Sequence, residues 1–212
     1  MSDQDHWNAV FRGTPDEDLG WFEPDVSPSM AYIDEMALAE DALILLPGAG
    51  TTSLIDALLE RGHHLMVNDI SSEALDRLRD RIGTRTGVSW LCQDISTPLP
   101  PVLPSVDAWV DRAVLHFLLD ERALDGYFAN LRRMVRPGGF AFFAEFAEHG
   151  VTRCAGRDVL RYTEGGLLDR LGRDFRLVRH EHRNYTSPTG GHRPYLYALF
   201  ERVLQVDRPN GA

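Results

Sequence analysis

The amino-acid sequence predicts an α/β fold in one structural domain, with a doubly wound, mostly parallel sheet of seven strands and an antiparallel hairpin at its C-terminal end. Three observations support this prediction. The chain has 212 residues, the size of a single domain. From residue 41 onward, short apolar runs alternate with amphipathic stretches, and parallel strands need such crossover helices between them. The last two strand-like runs, 175–181 and 195–203, are joined by a turn with no room for a helix.

The strands of the parallel part are short apolar runs that end at turn residues. They are expected at residues 42–46, 64–68, 88–91, 106–110 and 140–144. After the first strand, Leu54 and Leu58 recur at helical spacing, and Gly62 ends the helix. Ser71 is the predicted N-cap of the next helix, and a further helix runs through residues 124–134.

The N-terminal part has a different character. Residues 1–36 are predicted to form an irregular lid or arm, and residues 37–212 the main domain. Large aromatic side chains lie among acids and prolines in this segment, at Trp7, Phe11 and Trp21. Such side chains bury much apolar area. We expect them to close over a bound ligand, and the alternative is that they belong to the ordinary core.

Composition limits the possible partners. The chain has 32 acidic and 22 basic residues, a net charge of −10, which repels nucleic acid and anionic membranes. All of the bases are arginine, so Schiff-base chemistry on a lysine is excluded. The two cysteines and the histidines lack metal-site spacing, and no metal is expected. With neither an apolar run of about 18 residues nor a signal-like N-terminus, the sequence predicts a cytoplasmic protein that does not bind membranes.

A glycine-containing turn follows the first strand. Gly48, Ala49 and Gly50 let the backbone approach a ligand closely, and the helix that begins after Thr52 offers free N–H donors. The turn lacks the Gly-Lys-Ser/Thr of a Walker loop, and Leu54 stands where a dinucleotide fingerprint has its third glycine. The pattern therefore favours another kind of nucleotide ligand.

Acidic residues follow the second, third and fourth strands. Asp69, which precedes Ile70, lies 19 residues after Gly50 and is suited to accept hydrogen bonds from a ribose diol. Asp94 with Ile95 could contact an adenine. Ligands of doubly wound sheets bind beyond the carboxyl ends of the strands, so these residues should share one rim with Asp111.

This order of features resembles the class I S-adenosylmethionine-dependent methyltransferases, which have a Rossmann-like sheet. Within them, the Pro-Gly-Ala-Gly turn, the run through Asp69 and the Asp111-Arg112-Ala113 sequence look like the thiopurine and thiol methyltransferase branch. The resemblance implies S-adenosylmethionine as cofactor. The residues implied to bind it are Trp7, Phe11, Trp21, Gly48, Ala49, Gly50, Thr52, Asp69, Ile70, Asp94, Ile95 and Asp111.

The branch implies a small thiol, or a related sulfur or selenium nucleophile, as methyl acceptor. Arg112 is the predicted catalytic cation that stabilises a thiolate, and His116, one helical turn later, is the second catalytic candidate. Two alternatives stay open. Trp7 and Trp21 also resemble a signature of methyltransferases related to protein-lysine enzymes, and a non-catalytic nucleotide-binding module belongs to a different class. A small-molecule substrate is the favoured partner.

Overall fold

The computed structural model describes residues 3–187 and 190–204, and a seven-stranded sheet forms its centre. The strands of this sheet are β1 (Leu43–Leu46), β2 (His64–Asp69), β3 (Val88–Cys92), β4 (Val106–Arg112), β5 (Val135–Phe146), β8 (Phe175–Thr186) and β9 (His192–Arg202). Two short strands, β6 (Arg153–Cys154) and β7 (Arg157–Asp158), form a separate hairpin.

The helices of the described chain are α1 (Asp3–Gly13), α2 (Ser27–Glu35), α3 (Leu54–Glu60), α4 (Ser72–Ile82), α5 (Glu121–Met134) and α6 (Glu164–Leu171). Side-chain oxygens cap three of them. Ser71 caps α4, as predicted, by accepting from the Ala74 N–H at 3.2 Å. Asp120 caps α5 and Thr163 caps α6 in the same way. No helix among the described residues is long and apolar enough to span a membrane.

The strand order, β3-β2-β1-β4-β5-β9-β8, confirms the predicted fold class. The pairs among β1 to β5 are all parallel, whereas β9 pairs antiparallel with both β5 and β8. This is the Rossmann-like arrangement with a C-terminal antiparallel hairpin. The order reverses between β1 and β4, and in open α/β sheets that reversal opens a crevice at the carboxyl ends of the strands.

The core lies on both faces of the sheet. On β1, Ile44 and Leu46 face one apolar cluster while Leu45 faces the other. Phe142 and Phe143 repeat the same alternation on β5. All five side chains are at most 2% exposed. Burial on both faces is the reason that the strands of the sequence are continuous apolar runs.

The prediction that residues 1–36 are irregular is wrong, because this segment forms α1 and α2. Tertiary contacts stabilise both helices. Asn8 on α1 accepts from Ser71 Oγ at 2.8 Å, and Phe11 is buried. Tyr32 and Ile33 place α2 in the core. The sequence analysis also missed α6 and the β6–β7 hairpin, which lie between the predicted strands.

Candidate active site

A cavity of about 250 Å³ opens beyond the carboxyl ends of the central strands. The aromatic residues of the N-terminal segment and the residues at the strand ends meet there. The sequence-predicted site residues that line it are Trp7, Phe11, Trp21, Gly48, Ala49, Gly50, Thr52, Asp69, Ile70, Asp94, Ile95 and Arg112. Asp111 and His116 do not line the cavity.

The turn after β1 brings the backbone to the cavity. Gly48 has φ +47° and Gly50 has φ +55°, a left-handed conformation that favours glycine. Gly48 also permits a close approach, since a Cβ built on it would lie 2.5 Å from Val114 Cγ2. The turn is tied to β2, because the Ala49 N–H donates to the Asn68 carbonyl at 2.8 Å. The backbone therefore forms a fixed wall of the site.

Asp69 presents a buried carboxylate at the end of β2. Its two oxygens accept the N–H groups of Gly50 and Ser71, each at 2.8 Å. Burial raises the pKa of Asp69 to about 6, and these backbone hydrogen bonds lower it only in part. A carboxylate has about four acceptor sites, so two hydroxyl donors fit beside the two N–H groups. The residue suits the ribose of S-adenosylmethionine.

The neighbouring turn after β3 fits the adenine end of the same cofactor. Asp94 Oδ1 accepts from the Ser96 N–H at 2.8 Å and from Ser96 Oγ at 2.7 Å, which fixes the turn. Ile95 beside it is 5% exposed and lines the cavity. An apolar surface next to a polar turn suits a flat, hydrogen-bonding base.

Arg112 connects the sheet to the N-terminal segment. Its Nε lies 2.9 Å from Glu23 Oε2, and its Nη1 donates to the Trp21 carbonyl at 2.7 Å. Both charged side chains are less than 10% exposed. Burial raises the pKa of Glu23, and the attraction of Arg112 opposes that rise. The guanidinium therefore stabilises residues 19–23, which we call the lid segment.

The C-terminal hairpin contacts the lid segment from the other side. Arg193 Nη1 donates to the Gly20 carbonyl at 3.0 Å, and the Tyr185 hydroxyl donates to the Phe22 carbonyl. The Tyr185 ring also faces Arg112, whose guanidinium carbon lies 5.5 Å from the ring centroid. β8 and β9 thus fix the backbone that carries Trp21.

Aromatic rings form the lid side of the cavity. Trp7 meets Trp21 edge-to-face with centroids 5.7 Å apart, and it meets Phe117 in the same way at 4.8 Å. The ring centroids of Phe11 and Trp21 lie 6.1 Å apart. These contacts join α1, the lid segment and the turn after β4, and they make this side of the cavity apolar.

Asp111, predicted to bind the cofactor, does not line the cavity. Asp111 is fully buried behind the cavity wall, where it accepts from the Tyr127 hydroxyl and from the Val114 N–H at 3.2 Å. Burial raises its pKa well above the ordinary range, and the nearby Glu145 raises it further. Asp111 therefore stabilises the turn after β4 by accepting the Val114 N–H, and it does so from outside the cavity.

The structure also places His116 away from the cavity. It is completely buried, and its Nδ1 lies 2.5 Å from Glu145 Oε2. Burial lowers the pKa of His116 and raises that of Glu145 to about 7. Because β5 supplies the glutamate, the pair joins β5 to the turn after β4. In this position His116 has no direct path to a ligand.

Each carboxylate of the cavity wall already has a partner. The five among the described lining residues are Asp3, Glu23, Asp69, Asp94 and Asp120. Asp3 Oδ1 lies 2.5 Å from Arg157 Nη2, and Asp120 accepts from the Ala123 N–H at 3.0 Å. The sequence analysis missed Asp3, Glu23 and Arg157 as site residues, because their partners are distant in the chain.

Residues 44–139 match the family described as a methyltransferase domain, which covers β1 to the start of β5. No protein of curated function matches the sequence. The matched stretch contains the glycine turn, Asp69 and Asp94, and it leaves out the lid segment and the C-terminal hairpin.

Solved structures share the fold over most of the chain. One, from work on the conversion of a disulfide bond into a thioacetal group during echinomycin biosynthesis, has a TM-score of 0.72 and 19% identity, covering 97% of this chain and 94% of its own. The N-methyltransferase NodS of Bradyrhizobium japonicum has a TM-score of 0.67 and 19% identity, covering 85% and 99%. The 1,6-didemethyltoxoflavin-N1-methyltransferase of Burkholderia thailandensis, solved with S-adenosylhomocysteine, has a TM-score of 0.61 and 24% identity, covering 85% and 82%.

Proposed function

We propose that this chain, whose residues 44–139 match a methyltransferase domain, is an S-adenosylmethionine-dependent methyltransferase that moves a methyl group to a small thiol or a related sulfur or selenium nucleophile. The proposal rests on one observation. Each of the five carboxylates among the described residues of the cavity wall already has a hydrogen-bonding or ionic partner. An acceptor in such a site has to lose its proton without a dedicated base.

The two candidate acceptors, a thiol and a lysine amine, differ in how readily they lose a proton. A free thiol has a pKa near 8.5 and is partly ionised at neutral pH, whereas a lysine amine has a pKa near 10.4. A lysine acceptor would need a base to remove its proton. In the described wall, Asp3 and Glu23 face arginines, and Asp69 receives two backbone N–H groups. These partners occupy the carboxylate oxygens. Burial raises the pKa of Glu23 and brings that of Asp69 to about 6, and the arginine and the backbone N–H groups oppose that rise. Neither carboxylate is therefore free to take a proton from an amine.

The chain's own residues position the reactants and exclude water. The cofactor supplies the activated methyl group as a sulfonium. Asp69 and the turn with Gly48 and Gly50 would bind its nucleoside part. Trp7 and Trp21 cover the cavity, and sulfur makes favourable contacts with aromatic rings of this kind. Orientation in a dry cavity supplies a large part of the rate in such a transfer.

The predicted role of Arg112 as a thiolate ligand changes in this proposal. Its charge is already balanced by Glu23, and its Nη1 donates to the Trp21 carbonyl. We assign Arg112 a positioning role instead: it orients Trp21 over the cofactor site. The acceptor then ionises by its own acidity.

The neighbours of the same fold come from work on both sulfur and nitrogen chemistry. The work on echinomycin biosynthesis concerns chemistry at sulfur, the conversion of a disulfide bond into a thioacetal group. NodS and the toxoflavin enzyme are N-methyltransferases, so nitrogen acceptors are the main competing class.

The test is a methyl-transfer panel with labelled S-adenosylmethionine. Hydrogen sulfide, alkyl thiols and aryl thiols are compared with amines of matched size and with a cell lysate. We expect label on the small thiols, and Asp69→Ala should reduce transfer to each of them. Label that appears only on amines or on lysate protein would overturn the sulfur assignment.

A further inference from the structure

Arg157 is the second cation among the described residues that line the cavity. It follows the turn of the β6–β7 hairpin, in which Ala155 and Gly156 have φ values of +50° and +75°. Arg153 Nη2 donates to the Gly156 carbonyl at 2.8 Å, which fixes this turn. The hairpin therefore presents Arg157 to the cavity from a defined backbone.

The two cations of the cavity wall differ in how easily a bound ligand could contact them. Arg112 is buried and pairs with the buried Glu23. Arg157 pairs with Asp3, whose side chain is 62% exposed at the start of α1, at a distance of 2.5 Å. Exposed ion pairs contribute only about 0–1 kcal/mol, so a ligand can replace Asp3 at small cost. Arg157 is thus the wall cation that a bound molecule can reach.

The position of the hairpin indicates which ligand Arg157 meets. The residues suited to the cofactor follow β1, β2 and β3, on one half of the rim. The β6–β7 hairpin follows β5, which lies on the other side of β4 in the sheet. An acceptor in this second half of the rim would lie on the same side of β4 as the hairpin that carries Arg157.

We propose that the methyl acceptor carries a carboxylate, which binds Arg157 in place of Asp3. The carboxylate of Asp3 already makes one contact of this kind, from Oδ1 to Arg157 Nη2. A guanidinium binds a carboxylate through two parallel N–H donors, which orients the ligand as well as attracting it. Combined with the proposed function, on which this inference rests for the identity of the reacting atom, the substrate is a small thiol acid.

The experiment compares three small thiols, of which only the first carries a carboxylate: 3-mercaptopropionate, its methyl ester and propanethiol. The measured quantity is the ratio of kcat/KM for the acid to that for the ester. For the unaltered protein we expect a ratio of about ten or more, the range of a charge-assisted hydrogen bond. Arg157→Gln should bring the ratio close to one, and Asp3→Asn should increase it by removing the competing carboxylate.

The matched control is Arg161→Gln, a little further along the chain, whose side chain is exposed and does not line the cavity. This variant should keep the ratio. A ratio near one in the unaltered protein, or a ratio that Arg157→Gln leaves high, would overturn the inference. So would a loss of S-adenosylhomocysteine affinity in Arg157→Gln that equals the loss for the acid, because Arg157 would then serve the cofactor.

Calorimetry separates this inference from the proposed function. It measures binding of the acid and of the ester to the protein saturated with S-adenosylhomocysteine, and it needs no turnover. Preferential binding of the acid that Arg157→Gln removes, without methylation of any thiol, supports the role of Arg157 and contradicts only the sulfur acceptor. Equal binding of acid and ester contradicts the inference itself.

Discussion

Arg112 Nε lies 2.9 Å from Glu23 Oε2, and this buried ion pair joins the end of β4 to the lid segment. The same guanidinium donates to the Trp21 carbonyl at 2.7 Å. Trp21 in turn lies beside the glycine turn, since a Cβ on Gly50 would be 3.9 Å from Trp21 Nε1. The ion pair therefore sets the position of an aromatic ring over the cofactor site.

Glu23→Gln removes the charge that balances Arg112. Breaking one side of a buried ion pair destabilises proteins by about 3–5 kcal/mol, and the amide keeps some hydrogen bonding, so we expect a loss near the lower end. Hydrogen exchange at residues 19–23 should become faster, and the KM for S-adenosylmethionine should rise. Glu17→Gln, an exposed change in the same part of the chain, is the control. Equal protection of the lid segment in both variants would contradict the role of the ion pair.

Asp69→Ala tests the ribose contact. Loss of a carboxylate acceptor should weaken binding of S-adenosylhomocysteine by about 1–3 kcal/mol, measured by calorimetry. Asp76→Ala, on the exposed face of α4, should bind normally. The reading of the site as a cofactor site fails if both variants bind equally well.

The affinity for the cofactor should depend on pH through the same residue. Burial raises the pKa of Asp69 to about 6, so the carboxylate is ionised above pH 7 and gains a proton as the pH falls through 6. The protonated form accepts fewer hydrogen bonds from a diol. We expect the affinity for S-adenosylhomocysteine to be constant above pH 7 and to fall below pH 6. Asp69→Asn should bind weakly and lose this dependence.

The sequence predicted the parts of the molecule that depend on local pattern. Apolar runs located the parallel strands, and the glycine turn and Asp69 follow them directly. The lid contacts depend on tertiary structure. Arg112 contacts Glu23, which lies 89 positions earlier in the chain, and Arg157 contacts Asp3, which lies 154 positions earlier. No local pattern contains such pairs, so the sequence predicts Arg112 at the cavity but not its pairing with Glu23.

His116→Gln distinguishes a structural histidine from a catalytic one. The change removes the partner of the buried Glu145, so the free energy of unfolding should fall by at least about 1 kcal/mol. Because His116 does not line the cavity, the pH profile of kcat/KM should keep its shape. Disappearance of an inflection from the pH profile in this variant would restore His116 as a proton acceptor.

Gly48→Ala tests the close approach at the turn after β1. The residue has φ +47°, and an added Cβ would lie 2.5 Å from Val114 Cγ2. The left-handed conformation alone costs about 1–2 kcal/mol. Gly83→Ala is a matched control, with φ +64° and no atom within 4 Å of the added Cβ. Both variants should lose stability in thermal unfolding, and only Gly48→Ala should also lose affinity for S-adenosylhomocysteine.

The most direct test of the account is the pH dependence of kcat/KM for a series of thiols with different acidities. If the acceptor ionises by itself, the rate follows the thiolate fraction, and each thiol shows an inflection at its own pKa. The account predicts that this inflection moves with the thiol across the series. The cofactor is kept saturating, so that the titration of Asp69 does not limit the rate. An inflection at one fixed pH for every thiol would then reveal a base in the protein and contradict the self-ionisation of the acceptor.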